Sequence, residues 1–311
     1  MAKNAQTAAW LEEPHRCLIE PESPDMPELL RQIPDPPTLL YLVGSKDVLH
    51  LPALAIVGSR NPTRGGIQNA YEFSRHLARA GFCIVSGLAQ GIDTAAHQGA
   101  LDGGGQTVAF LGHGIDRVYP AENRMLAHRI AENGALCSEY PLGSPPRREH
   151  FPQRNRLISG LSLGTLVVEA ARRSGSLISA RLAGEQGREI FAIPGSIHNP
   201  LSRGCHQLIK QGAKLVECAE DIVSELSPLV GHLLRSAEIP ATAAPGTVEH
   251  DADYETLLAT LSYDPASADQ LAQHSGLTID QVSSMLLILE LEGKVQMQAG
   301  GRYSKLQASD I

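Results

Sequence analysis

Short, uninterrupted runs of apolar residues recur along the chain from residue 38 onward, and glycine-containing turns follow most of them. Continuous apolar runs of about five residues, unlike alternating ones, are typical of strands that are covered on both faces of a sheet. The predicted strands are residues 39–43, 54–57, 82–85, 107–111, 135–137, 165–168, 189–193 and 214–216.

Segments with a helical pattern lie between these strands. The predicted helices are residues 67–80, 93–101, 121–133, 176–186, 204–211 and 219–226. Repetition of strand, glycine turn and helix predicts an α/β fold, an extended Rossmann-like doubly wound parallel sheet. Ligands of such sheets bind beyond the carboxyl ends of the strands, so the turns after the strands are the candidate sites.

Four regions follow from these patterns. Residues 1–37 are rich in proline and acidic residues, and we expect them to form a lead-in that packs on the sheet domain of residues 38–227. The Ala-, Pro- and Gly-rich residues 228–247 predict a linker. Residues 248–306 contain three helical segments followed by two short strands, the pattern of a small winged-helix domain.

The charge of this small domain argues against the usual duplex-DNA role of a winged helix. Residues 249–306 hold nine acids and three bases, and the presumed recognition helix, residues 279–292, has no Lys or Arg. A phosphate backbone would repel such a surface. We therefore hypothesise that the domain serves protein contacts or intramolecular packing.

Composition narrows the protein class. Aromatic residues make up 4% of the 311 residues, with 29 glycines and 20 prolines, which is typical of a loop-rich α/β protein. The five cysteines form no close pair, so we expect reduced thiols and a cytoplasmic protein. No signal peptide or long apolar run is present, which argues against membrane insertion. His97 and His113 lack metal-ligand spacing, so we expect no metal.

A basic stretch at residues 147–181 stands out in a chain whose net charge is -8. Between residues 147 and 173 there are six arginines and two acids. Arginine suits bidentate contact with phosphate, and a base can stack on Phe151. The alternative, a solvated basic face with Phe151 in the core, stays open on composition alone.

The turn after residues 54–57 contains Gly58, Ser59 and Arg60. Its glycines admit close backbone approach, and the next helix offers amide groups to an anion. The turn matches neither the dinucleotide-binding Gly pattern nor a Walker loop, so we expect no nucleotide cofactor. In the following turn, Asp93 is expected to be a helix N-cap, a role that we favour over catalysis.

These turns belong to a set of motifs spread over residues 38–226, namely Gly58-Ser59-Arg60, Ser86-Gly87-Leu88-Ala89-Gln90-Gly91-Ile92-Asp93, Phe151-Pro152-Gln153-Arg154-Asn155-Arg156-Leu157-Ile158-Ser159-Gly160-Leu161-Ser162, Ser174-Gly175-Ser176-Leu177-Ile178, Pro194-Gly195-Ser196 and Gly204-Cys205-His206-Gln207-Leu208-Ile209. In order and spacing the set resembles the DprA or Smf family of DNA-processing proteins. The resemblance implies a homodimeric Rossmann domain that binds single-stranded DNA, protects incoming DNA and loads RecA recombinase on it during natural transformation. It implies no catalytic reaction.

Together with the physics of single-strand binding, the resemblance supplies the candidate contacts. Ser176 is expected to cap a helix whose N-terminus holds a phosphate. Asn155 is given equal weight as a DNA contact and as a structural residue. The predicted DNA-binding residues are Gly58, Ser59, Arg60, Phe151, Arg154, Asn155, Arg156, Arg173, Ser174, Gly175 and Ser176.

An enzyme is the alternative. LOG-like nucleoside monophosphate phosphoribohydrolases also place Gly-Thr and a glutamate near the end of a strand, as Gly164, Thr165 and Glu169 stand here. This chain lacks the glycine loop that precedes them in those enzymes. We therefore expect Glu169 to pair with local arginines or to close the end of the sheet.

One departure from the family concerns the N-terminal region. Many DprA-like proteins carry a helical domain before the Rossmann core, and the residues before position 38 are too few for one. Either this subgroup lacks the domain, or the chain begins after it.

Overall fold

The computed structural model describes residues 2–236, 257, 260–261, 266–278, 282, 285–286, 289, 295–298 and 302–305. The chain divides into two compact units, Met1–Glu238 and Ile239–Ile311. Within the described ranges, no helix combines the length and apolar character needed to cross a membrane.

The larger unit is built of alternating strands and helices. Its strands are β1 Arg16–Ile19, β2 Leu40–Gly44, β3 Ala53–Val57, β4 Cys83–Ser86, β5 Thr107–Phe110, β6 Gly134–Ser138, β7 Gly164–Val167, β8 Glu189–Ala192 and β9 Lys214–Leu215. Its α-helices are α1 Ala2–Leu11, α2 Glu28–Arg31, α3 Arg64–Arg79, α4 Ile92–Asp102, α5 Arg124–Asn133, α6 His150–Leu161, α7 Ser176–Glu185, α8 Arg203–Lys210 and α9 Ala219–Ser236.

The nine strands form one sheet in the order β1-β2-β6-β5-β4-β3-β7-β8-β9. From β6 to β9 every neighbouring pair is parallel, which confirms the predicted doubly wound sheet. All eight predicted strands are present. The parallel direction expected for residues 39–43 is wrong, since β2 runs antiparallel to β6. The sequence did not predict β1, which pairs antiparallel with β2 at the edge.

Helices cover both faces of the sheet, which explains the continuous apolar runs. Along β3, Ala55 and Val57 are buried in one apolar cluster with residues of α6, α7 and α8. Leu54 and Ile56 are buried in a second cluster with residues of α3, α4 and α9. Because side chains alternate between the faces of a strand, both parities must be apolar in a strand that is covered twice.

Two helices correct the sequence prediction. Residues 150–161, for which no helix was predicted, form α6. Helix α9 continues to Ser236 through Pro228, ten residues beyond its predicted end, so the expected linker cannot begin at residue 228. The remainder of that linker, residues 237–247, lies outside the described residues.

The N-terminal residues are part of the larger unit. Strand β1 extends the sheet, and Leu30 of α2 is buried in the same cluster as Leu157 and Leu161 of α6.

In the smaller unit the described elements are β10 Ala266–Ser267, α10 Ala268–Ser275, β11 Val295–Gln298 and β12 Arg302–Lys305. Strand β12 pairs antiparallel with both β10 and β11, which confirms the predicted C-terminal hairpin. Ser267 and Gln270 form a capping box at the start of α10. The predicted first and third helical segments, residues 254–261 and 279–292, lie mostly outside the described residues.

Candidate nucleic-acid interface

A cleft of about 790 Å³ opens beyond the carboxyl ends of β3 and β7. These neighbouring strands mark the point where the strand order reverses, and doubly wound sheets bind their ligands in the crevice at that point. The turn after β3, helix α6 and the segment before α7 supply much of the lining. The cleft brings together ten of the eleven predicted contacts: Gly58, Ser59, Arg60, Phe151, Arg154, Asn155, Arg173, Ser174, Gly175 and Ser176.

The cleft is electropositive. Arg60, Arg148 and Arg173 line it and are exposed, and none of them has an ion-pair partner among the described residues. Within the described part of the chain, Asp93 is the one acidic residue in the lining, and Arg154 also lies there. Four arginines around one carboxylate leave an excess of positive charge, which suits a polyanion.

Two aromatic rings lie beside these arginines. The rings of Phe151 and Tyr119 are 6.0 Å apart between centroids, and the Arg60 guanidinium carbon lies 5.3 Å from the centroid of the Phe151 ring. Phe151 is half-buried, so it does not belong to the core, and Tyr119 is 49% exposed. Aromatic faces next to cations are the usual platform on which unpaired bases stack.

The turn after β3 is held by its own backbone contacts. The Ser59 hydroxyl accepts a hydrogen bond from the Asn61 amide at 3.1 Å, and the Ser59 carbonyl accepts one from the Ile92 amide at 3.2 Å. A Cβ added to Gly58 would lie 2.6 Å from Cγ1 of Ile92. Glycine is therefore required here for packing against α4, and Arg60 extends from a turn that is already ordered.

Glu169 holds the other side of this turn. Its side chain is buried, and its two carboxylate oxygens accept hydrogen bonds from the Thr63 amide at 2.9 Å and the Thr63 hydroxyl at 2.7 Å. Thr63 in turn caps α3 by accepting from the Gly66 amide. The expected pairing of Glu169 with arginines is wrong, and its role at the sheet end is confirmed. Both carboxylate oxygens therefore contribute to holding Thr63 at the start of α3.

Arg154 lies at the floor of the cleft and is 3% exposed. Its Nη1 donates a hydrogen bond to the Phe110 carbonyl at 2.6 Å, and its guanidinium occupies the space that a side chain at Gly87 would need. Burial lowers the pKa of Arg154 to about 10, against the opposing effect of Asp93. The phosphate contact predicted for Arg154 stays a prediction, and in the structure its side chain makes a buried contact that joins α6 to the end of β5.

Asp93 takes a role different from the predicted one. Gly91, not Asp93, is the N-cap of α4. The Asp93 carboxylate accepts hydrogen bonds from the amides of Gly87 at 3.1 Å and Ala89 at 3.3 Å, and so holds the turn after β4. Burial raises its pKa, and the neighbouring Arg154 opposes this shift.

Arg156 is the predicted contact that the structure does not bring to the cleft. Its Nη1 and Nη2 donate to the two carboxylate oxygens of Glu139 at 2.6 and 2.7 Å, and its Nε lies 2.9 Å from a carboxylate oxygen of Asp35. The helix explains the difference from Phe151 and Arg154. Positions 151, 154, 155 and 158 share one face of α6, whereas position 156 points elsewhere.

The serine turn before α7 is closed by local contacts. Gly175 is the N-cap of α7, so the predicted capping by Ser176 is wrong. The Ser176 amide donates to the Ser174 hydroxyl at 3.3 Å, and the two serine hydroxyls lie 2.7 Å apart. A Cβ added to Gly175 would meet nothing within 4 Å, so the turn leaves open space beside the cleft.

Sequence reasoning missed Tyr119 and Arg148 as lining residues. Both had a signal: Tyr119 follows a glycine turn in a chain poor in aromatic residues, and Arg148 lies within the basic stretch. Neither falls in the most specific motif segments, and the contact of Tyr119 with Phe151 joins residues 32 positions apart.

His97 of α4 and His113, in the loop after β5, have buried side chains. Nδ1 of His97 lies 2.7 Å from the Thr107 hydroxyl, and that hydroxyl donates to the Ile84 carbonyl at 2.6 Å. Since the hydroxyl proton is committed to Ile84, Nδ1 of His97 is the donor in their contact. Burial lowers the pKa of His97 to about 3 and also lowers that of His113. Among the described residues, no three His, Cys, Asp or Glu side chains lie together as metal ligands would.

Both units of the chain match models of known protein families. Residues 17–227 match the model of DNA recombination-mediator protein A, and residues 240–301 match the DprA winged helix domain. The protein Smf of Escherichia coli is 43% identical over 293 residues, which cover 94% of this chain and 78% of that protein. The DNA processing protein DprA of Streptococcus pneumoniae is 47% identical over 196 residues, 63% of this chain and 69% of that protein.

Two solved structures resemble the fold. The X-ray structure of DprA from Streptococcus pneumoniae gives a TM-score of 0.67 at 43% identity, covering 71% of this chain and 77% of that one. DNA processing protein A from Helicobacter pylori, described for its single-stranded DNA binding mode, gives a TM-score of 0.62 at 32% identity. The match covers 68% of this chain and 96% of that one.

Proposed function

Because this chain belongs to the DNA recombination-mediator protein A family, we propose that it binds single-stranded DNA in the cleft at the switch point of its sheet. The observation that carries the proposal is the placement of Arg60, Arg148 and Arg173, free of ion pairs among the described residues, beside the rings of Phe151 and Tyr119. We propose that the protein acts in this way in natural transformation and DNA recombination.

The division of labour in the cleft follows from burial. Exposed Arg60, Arg148 and Arg173 bind phosphates, and Phe151 and Tyr119 stack on bases. Arg154 and Asp93 shape the floor. Phosphates and π-faces are common to all sequences, so we expect little base preference. The proposed contacts are Gly58, Ser59, Arg60, Tyr119, Arg148, Phe151, Asn155, Arg173, Ser174, Gly175 and Ser176.

We propose a binding role in the cytoplasm without a catalytic reaction or cofactor. Glu169 supports this because it holds Thr63 at the start of α3 and because the chain lacks the glycine loop that precedes the glutamate of the phosphoribohydrolases. Incubation of the purified protein with nucleoside monophosphates should release no free base. Release at enzymatic rates would overturn the proposal in favour of a phosphoribohydrolase.

Two partners belong to the proposal through the family. The first is a second copy of the chain, bound through the Rossmann-like unit, and light scattering that shows only monomer at micromolar concentration would refute it. The second is RecA, which the protein would load on single strands. Filament assembly on strands coated with single-strand-binding protein should accelerate when the protein is added, and an unchanged rate would refute loading.

The central test is a titration of labelled oligo-dT over a range of salt concentrations with Arg60→Ala. Loss of a charge-assisted contact of about 1.5–3 kcal/mol predicts an affinity at least about tenfold lower. Loss of one phosphate contact predicts a salt slope that is flatter by about 0.7.

Arg64→Ala is the matched control. Arg64 is exposed and lies four positions after Arg60 in the chain, but it does not line the cleft. Its replacement by alanine removes the same charge as Arg60→Ala. No binding by the wild-type protein at micromolar concentration would refute the proposal. Equal losses in the two variants would refute the assignment of Arg60.

A further inference from the structure

A second basic concavity lies behind the loop of residues 112–120 that borders the cleft. It encloses about 520 Å³ between this loop, helix α5 and Trp10. Its basic side chains are Arg16, Arg117, Arg124 and His128, and we call it the α5 groove. Tyr119, two residues after Arg117, lines the cleft itself. The two concavities are therefore neighbours across one loop.

Two arginines of the α5 groove have guanidinium groups that are available to bind an anion. Arg124 is exposed and has no hydrogen-bond or ion-pair partner among the described residues. Among the described residues, Arg117 has one ion-pair partner, Asp116, whose Oδ2 lies 3.8 Å from Nη2 and is too far for a hydrogen bond, while Asp116 Oδ1 accepts a hydrogen bond from the Gly143 amide at 2.9 Å. Such a geometry leaves both guanidinium groups available to an anion.

The position of Arg124 adds to this positive charge. It is the first residue of α5, whose first turn contains no acid, and Glu122 lies two residues before it in the short 3-10 turn that leads into the helix. The partial positive charge of a helix N-terminus favours anions and is unfavourable for a basic side chain. Arg124 thus reinforces a field that a bound phosphate would neutralise.

Beyond the α5 groove, acidic side chains balance the basic ones. The next concavity along α5 shares Arg16 and His128 with the groove but adds Glu13 and Glu132. Its lysine, Lys46, is paired with Asp25 at 2.9 Å. The positive side chains that follow the cleft therefore extend to Arg117 and Arg124 of the α5 groove and are balanced by acids beyond it.

We propose that a single strand bound in the cleft continues across Tyr119 into the α5 groove, where Arg117 and Arg124 bind further phosphates of the same strand. The inference rests on the proposed function, because it extends the site of single-strand binding. Occupation of both parts makes affinity depend on strand length. A short strand fills only the cleft, whereas a longer strand gains the contacts of the groove.

The test compares Arg117→Ala/Arg124→Ala with wild type on labelled oligo-dT of about six and about twenty nucleotides, within the range of known single-strand sites. We expect the variant to bind the long strand roughly three- to tenfold more weakly, with a salt slope flatter by about 1.4, since two phosphate contacts are lost. Affinity for the short strand should change by less than about twofold.

Arg75→Ala/Arg79→Ala on α3 is the matched control, because it removes the same charge from a helix outside both concavities. Circular dichroism and thermal melting establish that both variants are folded. Equal losses on short and long strands, or a loss no larger than in the control, would overturn the inference. If inorganic phosphate lowers the affinity for the long strand only as far as the affinity for the short strand, this result would support the inference. Absence of wild-type binding to either strand would instead refute the proposed function.

Discussion

Replacement of Arg154 separates a structural arginine from a DNA contact. In Arg154→Ala, the buried Phe110 carbonyl loses its donor at 2.6 Å, and the half-buried Asp93 carboxylate loses its positive neighbour. An unsatisfied buried acceptor costs about 1–3 kcal/mol, and Asp93 also loses the nearby positive charge that opposes the rise of its pKa. Arg154 itself is costly to bury, since its Nε has no partner among the described residues. We expect a net loss of about 2–4 kcal/mol in the free energy of unfolding.

Thermal unfolding followed by circular dichroism measures this loss. For a unit of 150–250 residues, each kcal/mol lowers Tm by about 2–4 °C, so Tm should fall by roughly 5–15 °C. Arg154→Lys should recover little, because lysine lacks the planar guanidinium that reaches Phe110. Single-strand affinity, measured well below Tm, should fall less than in Arg60→Ala.

Arg60→Ala is the matched comparison because Arg60 is exposed and has no ion pair among the described residues. It should lower affinity with a stability change within about 0.5 kcal/mol. The structural interpretation of Arg154 would be refuted by a variant that melts within about 2 °C of wild type and loses affinity as Arg60→Ala does. That result would restore the phosphate contact expected from the sequence.

Two further predictions concern buried groups of the larger unit. Because burial lowers the folded-state pKa of His97 to about 3, its contribution to stability is fully present above about pH 6.5 and is lost as pH falls toward 3. Denaturation with urea should show that the free energy of unfolding falls by about 1.4 kcal/mol per pH unit over this window in the wild type but not in His97→Gln. The same dependence on pH in both proteins would contradict the assignment of this loss to His97. Glu169→Ala should cost about 2–4 kcal/mol, since the Thr63 amide and hydroxyl lose their acceptors. Thr63→Ser keeps both donors and should lower the free energy of unfolding much less. Equal stability of Glu169→Ala and wild type would show that the contact between Glu169 and Thr63 does not stabilise the fold.

Secondary structure could be predicted from the sequence where a local pattern of apolar residues determines it. The strands of the central sheet are covered on both faces, so their apolar runs are continuous and visible in the sequence. Helix α6 was missed because its first seven residues include Pro152, Arg154 and Arg156 and only one large apolar side chain, Phe151. Strand β1 was missed because it is a four-residue edge strand that is mostly half-buried.

The candidate site was predictable as a set of residues and not as a set of roles. Glycine turns, arginines and Phe151 identified the cleft from the sequence alone. Arg154 and Arg156 look alike in the sequence, two positions apart in one basic motif. In the structure one of them is buried under the turn of Gly87 and the other is paired with Glu139.

The sequence by itself therefore determined the doubly wound fold, the position of the turns that line the cleft and the sign of their charge, because these depend on local periodicity and on residue type. Only the tertiary structure decided which arginines are free, since their partners come from residues far away along the chain. Tyr119 and Arg148 join the cleft, and Arg117 and Arg124 form the neighbouring groove, for the same reason. Charge can be counted along a chain, but whether it is neutralised depends on which side chains the fold brings within a few ångströms.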